Sequence, residues 1–303
     1  MQFKIQLKRV IFIYFRNVRE YGGVNMNKFR YYLIANYLMV QVFALTIGYK
    51  LWGKGVDVPG IIEERIVREV GNAGRNILPL VLLGLVLVIS LALLILIKYG
   101  LSYFFYFFTE YGLLFLLISF ILYSLYPNPY LSVLVPGIAV VFRYTLNQFK
   151  HVSVVILAVG AAAILGSLNI YYVIAFLLLL ALYDILAVRK TKHMTTIAED
   201  AYERGSSLIF TFNTEEETFI LGSADIILPS ILVVSVFLHY FKVGTLPATE
   251  AFRFSIVGAF LTSVFALAGL LIAMRHREAP ALPYASVGIL GFLIVESIRF
   301  LLA

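Results

Sequence analysis

The sequence predicts an all-α membrane protein with nine transmembrane helices, and three observations support this. Hydrophobic residues make up 61% of the 303 residues and charged residues only 14%, against about 45–50% and about 25% in a soluble domain. The apolar residues fall into runs of about 20, the length that an α-helix needs to cross a bilayer. The segments between these runs are too short to fold as separate soluble domains.

Charges, prolines and polar clusters divide the chain into nine candidate spans. In chain order these are residues 30–49, 77–97, 101–125, 130–149, 152–168, 170–188, 218–241, 252–274 and 282–302. The fourth and fifth are the least regular, because Arg143, Lys150 and His151 interrupt them. Glu110 lies near the middle of the third span, whereas Arg143 is expected to lie near a helix end and to extend its charged group to the interface.

Residues 1–29 form a basic N-terminal segment ahead of the first span. Its apolar stretch, VIFIYF, is shorter than the 7 to 15 residues of a signal-peptide core, and no small-residue cleavage site follows. Two interpretations remain open. The segment is either an interfacial amphipathic helix or an extension ahead of the true start, since Met26 begins a conventional MNKFR lead into the first span.

Three regions follow this segment: six spans over residues 30–188, a cytoplasmic loop over 189–217, and three spans within 218–303. Lysine and arginine are about twice as frequent in the segments that a cytoplasmic N-terminus would place inside. The sequence therefore predicts a multi-pass protein of the cell membrane with its N-terminus in the cytoplasm and its C-terminus outside. The net charge of +7 does not indicate nucleic-acid binding, because the basic residues cluster beside the apolar runs.

The chain has no cysteine, which excludes disulfides, thiolate catalysis and thiolate metal sites. The four histidines form no HExxH motif, which would place two imidazoles on one helical face. No metal site and no cofactor are predicted.

Two aspartates lie inside membrane-length apolar runs, Asp184 in the sixth span and Asp225 in the seventh. A carboxylate at the centre of a bilayer costs about 2.5 to 3.5 kcal/mol on insertion scales, so such a residue indicates function. The two spans are antiparallel neighbours joined by an inner loop, and both aspartates lie at a similar distance from it. Two carboxyl groups that share a proton can act as general base and general acid, as in aspartyl proteases. Such acids also occur in the proton pathways of transporters.

The sequence around Asp225 favours an opened helix. Pro229 has no N–H group, so the carbonyl of Asp225, four residues earlier, loses its helical partner. Gly222 loosens the preceding turn.

Three short motifs follow one another along the second half of the chain. They are Tyr183-Asp184 in the sixth span, Gly222-Ser223-Ala224-Asp225 in the seventh and Pro280-Ala281-Leu282 at the start of the ninth. In this order and on these spans, they resemble the motifs of the presenilin and signal peptide peptidase family of intramembrane aspartyl proteases. The run VRKTKHM after the sixth span is similar to that of the archaeal presenilin-like branch.

The resemblance implies a presenilin-like fold with nine helices and a catalytic dyad of Asp184 and Asp225. It further implies that the remaining motif residues shape the site and contact the substrate, namely Tyr183, Gly222, Ser223, Ala224, Pro280, Ala281 and Leu282. One position departs from the family pattern, because Ala224 stands where the GxGD motif has glycine. Alanine restricts close backbone approach and a positive φ, so activity or substrate range is expected to differ.

The leading hypothesis is therefore an intramembrane aspartyl endopeptidase that hydrolyses transmembrane segments of other membrane proteins. A preflagellin or prepilin-type peptidase would share the GxGD chemistry in a smaller set of helices. A non-proteolytic transporter could use the same two acids but would usually show an internal repeat. The expected partners are transmembrane substrates and the lipid bilayer, with no nucleic acid, and the oligomeric state is left open.

Overall fold

The structure is a computed structural model that describes residues 11–12, 26–56, 73–146, 149–191, 193–213, 218–243, 246–273 and 280–302. The helices are α1 (Met26–Gly53), α2 (Ala73–Lys98), α3 (Ser102–Leu125), α4 (Pro129–Thr145), α5 (Phe149–Leu165), α6 (Ile170–Leu186), α7 (His193–Glu203), α8 (Ala224–Val243), α9 (Ala248–Ala273), α10 (Ala281–Ala285) and α11 (Gly288–Leu302). A π-helical turn, Ala187–Thr191, follows α6, and the strands are β1 (Ile11–Phe12), β2 (Ile209–Asn213) and β3 (Thr218–Gly222).

The predicted class, an all-α polytopic membrane protein, is confirmed. Six helical stretches in the described ranges are long and apolar enough to cross a membrane, namely Arg30–Gly53, Leu78–Lys98, Ser102–Leu125, Ala224–Lys242, Ala248–Ala273 and Ala281–Leu301. Three further apolar helices, α4, α5 and α6, have 17 residues each, which is at the short end of the spanning range of about 17 to 25. The total of nine spans remains a prediction.

The seventh predicted span is wrong at its start. Residues 218–222 form β3, and α8 begins only at Ala224. The strand pairs antiparallel with β2, Ile209 opposite Gly222. A short apolar run has no periodicity that distinguishes a strand from a buried helix. The span predicted from the sequence therefore included residues that form β3.

Three other regions differ from the expected layout. The predicted loop at 189–217 contains α7 and β2. The ninth predicted span is divided into α10 and α11 by a turn at residues 286–287. At the N-terminus, Ile11–Phe12 form a strand that runs parallel to β3 rather than part of an interfacial helix, and the rest of 1–25 lies outside the described residues.

Helix α8 lies at the centre of the bundle, where it packs against α1, α5, α6 and α9. Its spanning stretch is 72% buried, against 6% for that of α2. A helix that is apolar on all sides is expected in such a position. Asp225, in the first turn of α8, is therefore held by the most buried of the six membrane-length stretches that the described residues contain.

Glycine residues allow α9 to approach the C-terminal elements closely. A Cβ atom at Gly269 would stand 1.9 Å from the carbonyl oxygen of Tyr284 in α10, and one at Gly291 would stand 2.4 Å from the Thr262 nitrogen. Small residues at such crossings are typical of membrane helix packing. The position of α10 is thus fixed by backbone contact with α9.

Candidate active site

The two aspartates lie at the ends of adjacent helices that pack against each other. Asp184 is two residues before the C-terminal end of α6, and Asp225 is the second residue of α8. Their exposed fractions are 8% and 7%. At 1.5 Å per residue, the Asp184 Cα atom lies about 3 Å before the end of α6 and the Asp225 Cα atom about 1.5 Å after the start of α8. Asp225 is nearer to the start of its helix than the predicted span 218–241 would place it, because α8 begins at Ala224.

Each carboxyl group accepts a hydrogen bond from the backbone. The Leu282 N–H donates to Oδ2 of Asp184 at 3.2 Å, and the Gly222 backbone donates to Asp225. The carboxyl groups of Asp184 and Asp225 are also close enough to interact electrostatically. Hydrogen bonds to ionised groups are stronger than neutral ones and fix orientation. The structure thus brings together Asp184, Asp225, Gly222 and Leu282.

Helix α10 supplies one of these donors because it begins beside Asp184. Pro280 precedes the helix in an extended conformation, and Ala281 and Leu282 are buried. The first N–H groups of a helix have no hydrogen-bond partner within the helix. In α10, the Leu282 N–H donates to the Asp184 carboxyl group instead. Helix α10 packs against both α6 and α8, the two helices that carry the aspartates.

Ser223 connects α8 to β3, which forms a β-hairpin with β2. Its N–H donates to the Leu208 carbonyl at 3.0 Å, and its own carbonyl accepts from the N–H groups of Ile226 and Ile227. Ser223 is buried whereas Ala224 is exposed. The serine carbonyl therefore begins the helix that carries Asp225, and the side chain of Ala224 stays accessible from outside the protein.

Tyr183 points to the predicted cytoplasmic loop. Its hydroxyl group lies 2.7 Å from Nε2 of His193, the first residue of α7. The contact ties α7 to the residue adjacent to Asp184. Tyr183 therefore anchors the end of α6.

We expect thermal stability to depend on pH through His193. Burial lowers the pKa of His193 below its usual value of about 6.5, so the unfolded state binds the proton more readily. The contribution to stability is complete above pH about 6.5 and is lost as pH falls through the lower, folded-state pKa. The midpoint of thermal unfolding, measured from pH 8 to pH 5, should fall less steeply in His193→Gln than in the unaltered protein. Equal slopes would contradict the prediction.

Sequence reasoning missed a buried ion pair between α3 and α4. Arg143 Nε lies 2.5 Å from Oε1 of Glu110, and both side chains are less than a tenth exposed. Arg143 does lie in the last turn of α4, as expected, but its charged group pairs with Glu110 inside the protein instead of extending to the interface. Two opposite charges in consecutive spans are a signal that could have predicted the pair, because intramembrane charges usually pair with one another. Glu296 and Arg299 form the i, i+3 ion pair in α11 that their spacing predicts.

The fold and the site define a class, a polytopic helical membrane protein with two buried carboxyl groups on adjacent helices. The profile of the family described as "Signal-peptide peptidase, presenilin aspartyl protease" matches residues 34–299. The chain belongs to this family of aspartyl proteases, as its three motifs predict. No curated protein matches the chain significantly.

A solved structure described as a presenilin-family intramembrane aspartate protease is similar in fold. The TM-score is 0.56 and the sequence identity 23%, over 87% of this chain and 95% of the other. The presenilin-like fold predicted from the motifs is thereby confirmed.

Proposed function

We propose that the protein is an intramembrane aspartyl endopeptidase whose dyad, Asp184 and Asp225, activates water to hydrolyse peptide bonds within transmembrane segments. The observation that carries the proposal is the pair of buried carboxyl groups on packed helices, each with a backbone hydrogen bond. A buried acid pair costs folding free energy. Shared-proton chemistry gives a reason to retain it.

In the proposed reaction, one carboxylate takes a proton from water as the oxygen attacks the scissile carbonyl carbon. The other carboxyl group gives its proton to the carbonyl oxygen, and a tetrahedral diol forms. Proton transfer to the amide nitrogen then accompanies cleavage of the C–N bond and leaves a carboxylic acid and an amine. The backbone donors at Leu282 and Gly222 hold the two acids in place during both steps.

The substrates we propose are membrane-spanning segments of other proteins that unwind beside the dyad. Peptide bonds in an intact helix are hydrogen-bonded and shielded, so a substrate must be extended locally and water must reach it. The proposed orientation, with the N-terminus in the cytoplasm, places both carboxyl groups near the cytoplasmic surface, where water is available. The buried side chains of Ala281 and Leu282 and the exposed Ala224 would contact the substrate.

The test is to incubate the purified protein with single-span substrates labelled at both ends and to identify the fragments by mass spectrometry. Cleavage inside the apolar span supports the proposal. Cleavage only at a basic leader beside the span would support a prepilin-type peptidase. Proton flux in liposomes without fragments would support a transporter.

We expect Ala224→Gly to raise the turnover number by about two- to fivefold. The methyl group of Ala224 is exposed beside Asp225, so it can obstruct an approaching substrate backbone but no element of the protein itself. The fold should survive, because glycine in a helix costs only about 0.5 to 1 kcal/mol relative to alanine. The measurement is the initial rate at fixed protein and detergent. Equal rates in the two proteins would mean that this position does not limit access.

A further inference from the structure

The buried ion pair of Glu110 and Arg143 binds a turn that lies between Asp184 and Asp225 in the sequence. Arg143 donates through a terminal nitrogen to the Gly205 carbonyl at 3.0 Å and through Nε to the Ser207 hydroxyl at 2.6 Å. Oε2 of Glu110 accepts from the Ser207 N–H at 2.6 Å. Since Nε–H of Arg143 is directed at Ser207, its contact with Glu110 Oε1 is ionic rather than a hydrogen bond. We call residues 205–207 the clamped turn.

The clamped turn is linked to Asp225 by short steps of backbone. Leu208 follows it directly and accepts the Ser223 N–H. One residue later, β2 begins at Ile209, opposite Gly222. Gly222 donates to the Asp225 carboxyl group, and the Ser223 carbonyl accepts the first hydrogen bonds of α8. These backbone contacts connect the clamped turn to Asp225 through the paired strands β2 and β3.

The energetics indicate a positioning role rather than simple stabilisation. Moving two charges out of water has a large free-energy cost, and apolar residues of similar volume often give equal or greater stability. A buried pair therefore needs a reason beyond stability. Here α3 and α4 contribute one charge each, and the pair fixes three consecutive residues of the clamped turn.

We propose that Glu110 and Arg143 are positioning residues for Asp225, holding its carboxyl group toward Asp184 through the clamped turn and the hairpin. The inference rests on the proposed function for its effect on catalysis, but its geometric part can be measured without any activity. Loss of the pair lets the hairpin shift, and Asp225 moves with it.

The geometric test uses the absence of cysteine from the chain. Asp184→Cys/Asp225→Cys provides a reporter, because disulfide formation requires Cα atoms about 4.4 to 6.8 Å apart and suitably directed side chains. The rate of oxidation is compared in the unaltered background and in Glu110→Gln/Arg143→Met. Both partners are replaced together because a single remaining buried charge is strongly destabilising. We expect the rate to fall by about fivefold or more.

The matched control is Glu296→Gln/Arg299→Met, which removes the ion pair of α11. It should leave the oxidation rate within about twofold. If both double variants slow oxidation equally, or if neither does, the positioning role is overturned. No disulfide in the unaltered background would overturn the dyad geometry and this inference with it.

The catalytic test compares kcat and KM of the same variants with the aspartates intact. We expect kcat to fall by about tenfold or more with KM within twofold, since a displacement of about 1 Å costs about 100-fold in rate. Unchanged kcat in the folded double variant would refute the inference. If the unaltered protein cleaves nothing, the proposed function fails, while the oxidation rates still decide whether the pair positions residue 225.

A second pair of variants covers the case in which the double variant does not fold. Ser207→Ala keeps both charges paired but removes the hydroxyl group that accepts from Arg143, whereas Ser153→Ala removes a buried hydroxyl group that donates within its own helix, α5. At equal thermal stability, Ser207→Ala should lower the oxidation rate of the cysteine reporter by about threefold or more relative to Ser153→Ala. Equal rates in the two variants would overturn the positioning role.

Discussion

Asp184→Asn and Asp225→Asn should each abolish cleavage, lowering kcat by about 10³-fold or more. Removing one member of a cooperating catalytic unit costs about as much as removing the unit. Asparagine keeps the size of the side chain but can neither take the proton of water nor donate one to the carbonyl oxygen as a carboxyl group does. Because both carboxyl groups are buried and interact, the partner cannot supply both roles. The measurement is fragment release from a single-span substrate under single-turnover conditions.

The matched control for this prediction is Glu250→Gln, an equivalent change at an exposed acid in the first turn of α9. It should leave the rate within about twofold. A transition-state mimic with a hydroxyl group in place of the scissile carbonyl should inhibit the unaltered protein, and EDTA should not. Residual activity above about a tenth in either asparagine variant, or loss of activity in EDTA, would refute the dyad mechanism.

The membrane class and the two aspartates could be predicted from sequence because both depend on one strong effect. Burial of a charge or of a long apolar run has a free-energy cost or gain that is visible in composition alone. Asp184 and Asp225 are the acids of two apolar runs, and the structure buries both of them. Their similar depth in the membrane remains a prediction, and it was argued from a helix boundary that the structure moves to Ala224.

The hairpin and the ion pair could not be predicted because they depend on partners distant in sequence. The strand β3, Thr218–Gly222, contains three consecutive hydrophobic residues. So short an apolar run fits either a strand or a helix until β2 is known to lie beside it. Arg143 resembled an interfacial residue because it is in the last turn of α4. Its pairing with Glu110 became visible only when α3, α4 and the clamped turn were placed together.

The role of α10 was predicted only in part. The motif at residues 280–282 was assigned to the site by resemblance, and its contact with Asp184 is made by a backbone N–H rather than by a side chain. Every residue except proline has a backbone N–H group, so the sequence does not indicate which of them donates to a catalytic side chain. What fixes that donor is the close crossing of α9 at Gly269, which no motif includes.

We expect Gly269→Ala to lower kcat by about tenfold to 100-fold and to destabilise the protein by about 1 to 3 kcal/mol or more. The new methyl carbon would stand 1.9 Å from the Tyr284 carbonyl oxygen. This neighbour is backbone and cannot rotate away, so α10 must move, and overpacking of this kind costs about 1 to 3 kcal/mol. The Leu282 N–H moves with α10 and its hydrogen bond to Asp184 weakens, while a shift of about 1 Å at a reacting group costs about 100-fold in rate.

Two alanine variants separate the effect on the site from the effect on packing. Gly112→Ala in α3 meets no atom within 4 Å, so it should leave activity unchanged and stabilise the helix by about 0.5 to 1 kcal/mol. Gly291→Ala brings a methyl group to 2.4 Å from the Thr262 nitrogen. Gly291 lies in α11, the helix that follows α10, so the strain falls on α11 and not directly on the Leu282 donor. Gly291→Ala should lower the thermal midpoint as Gly269→Ala does and lower kcat less. If the two variants lose kcat in proportion to their loss of stability, the donor at Leu282 has no specific role in holding Asp184.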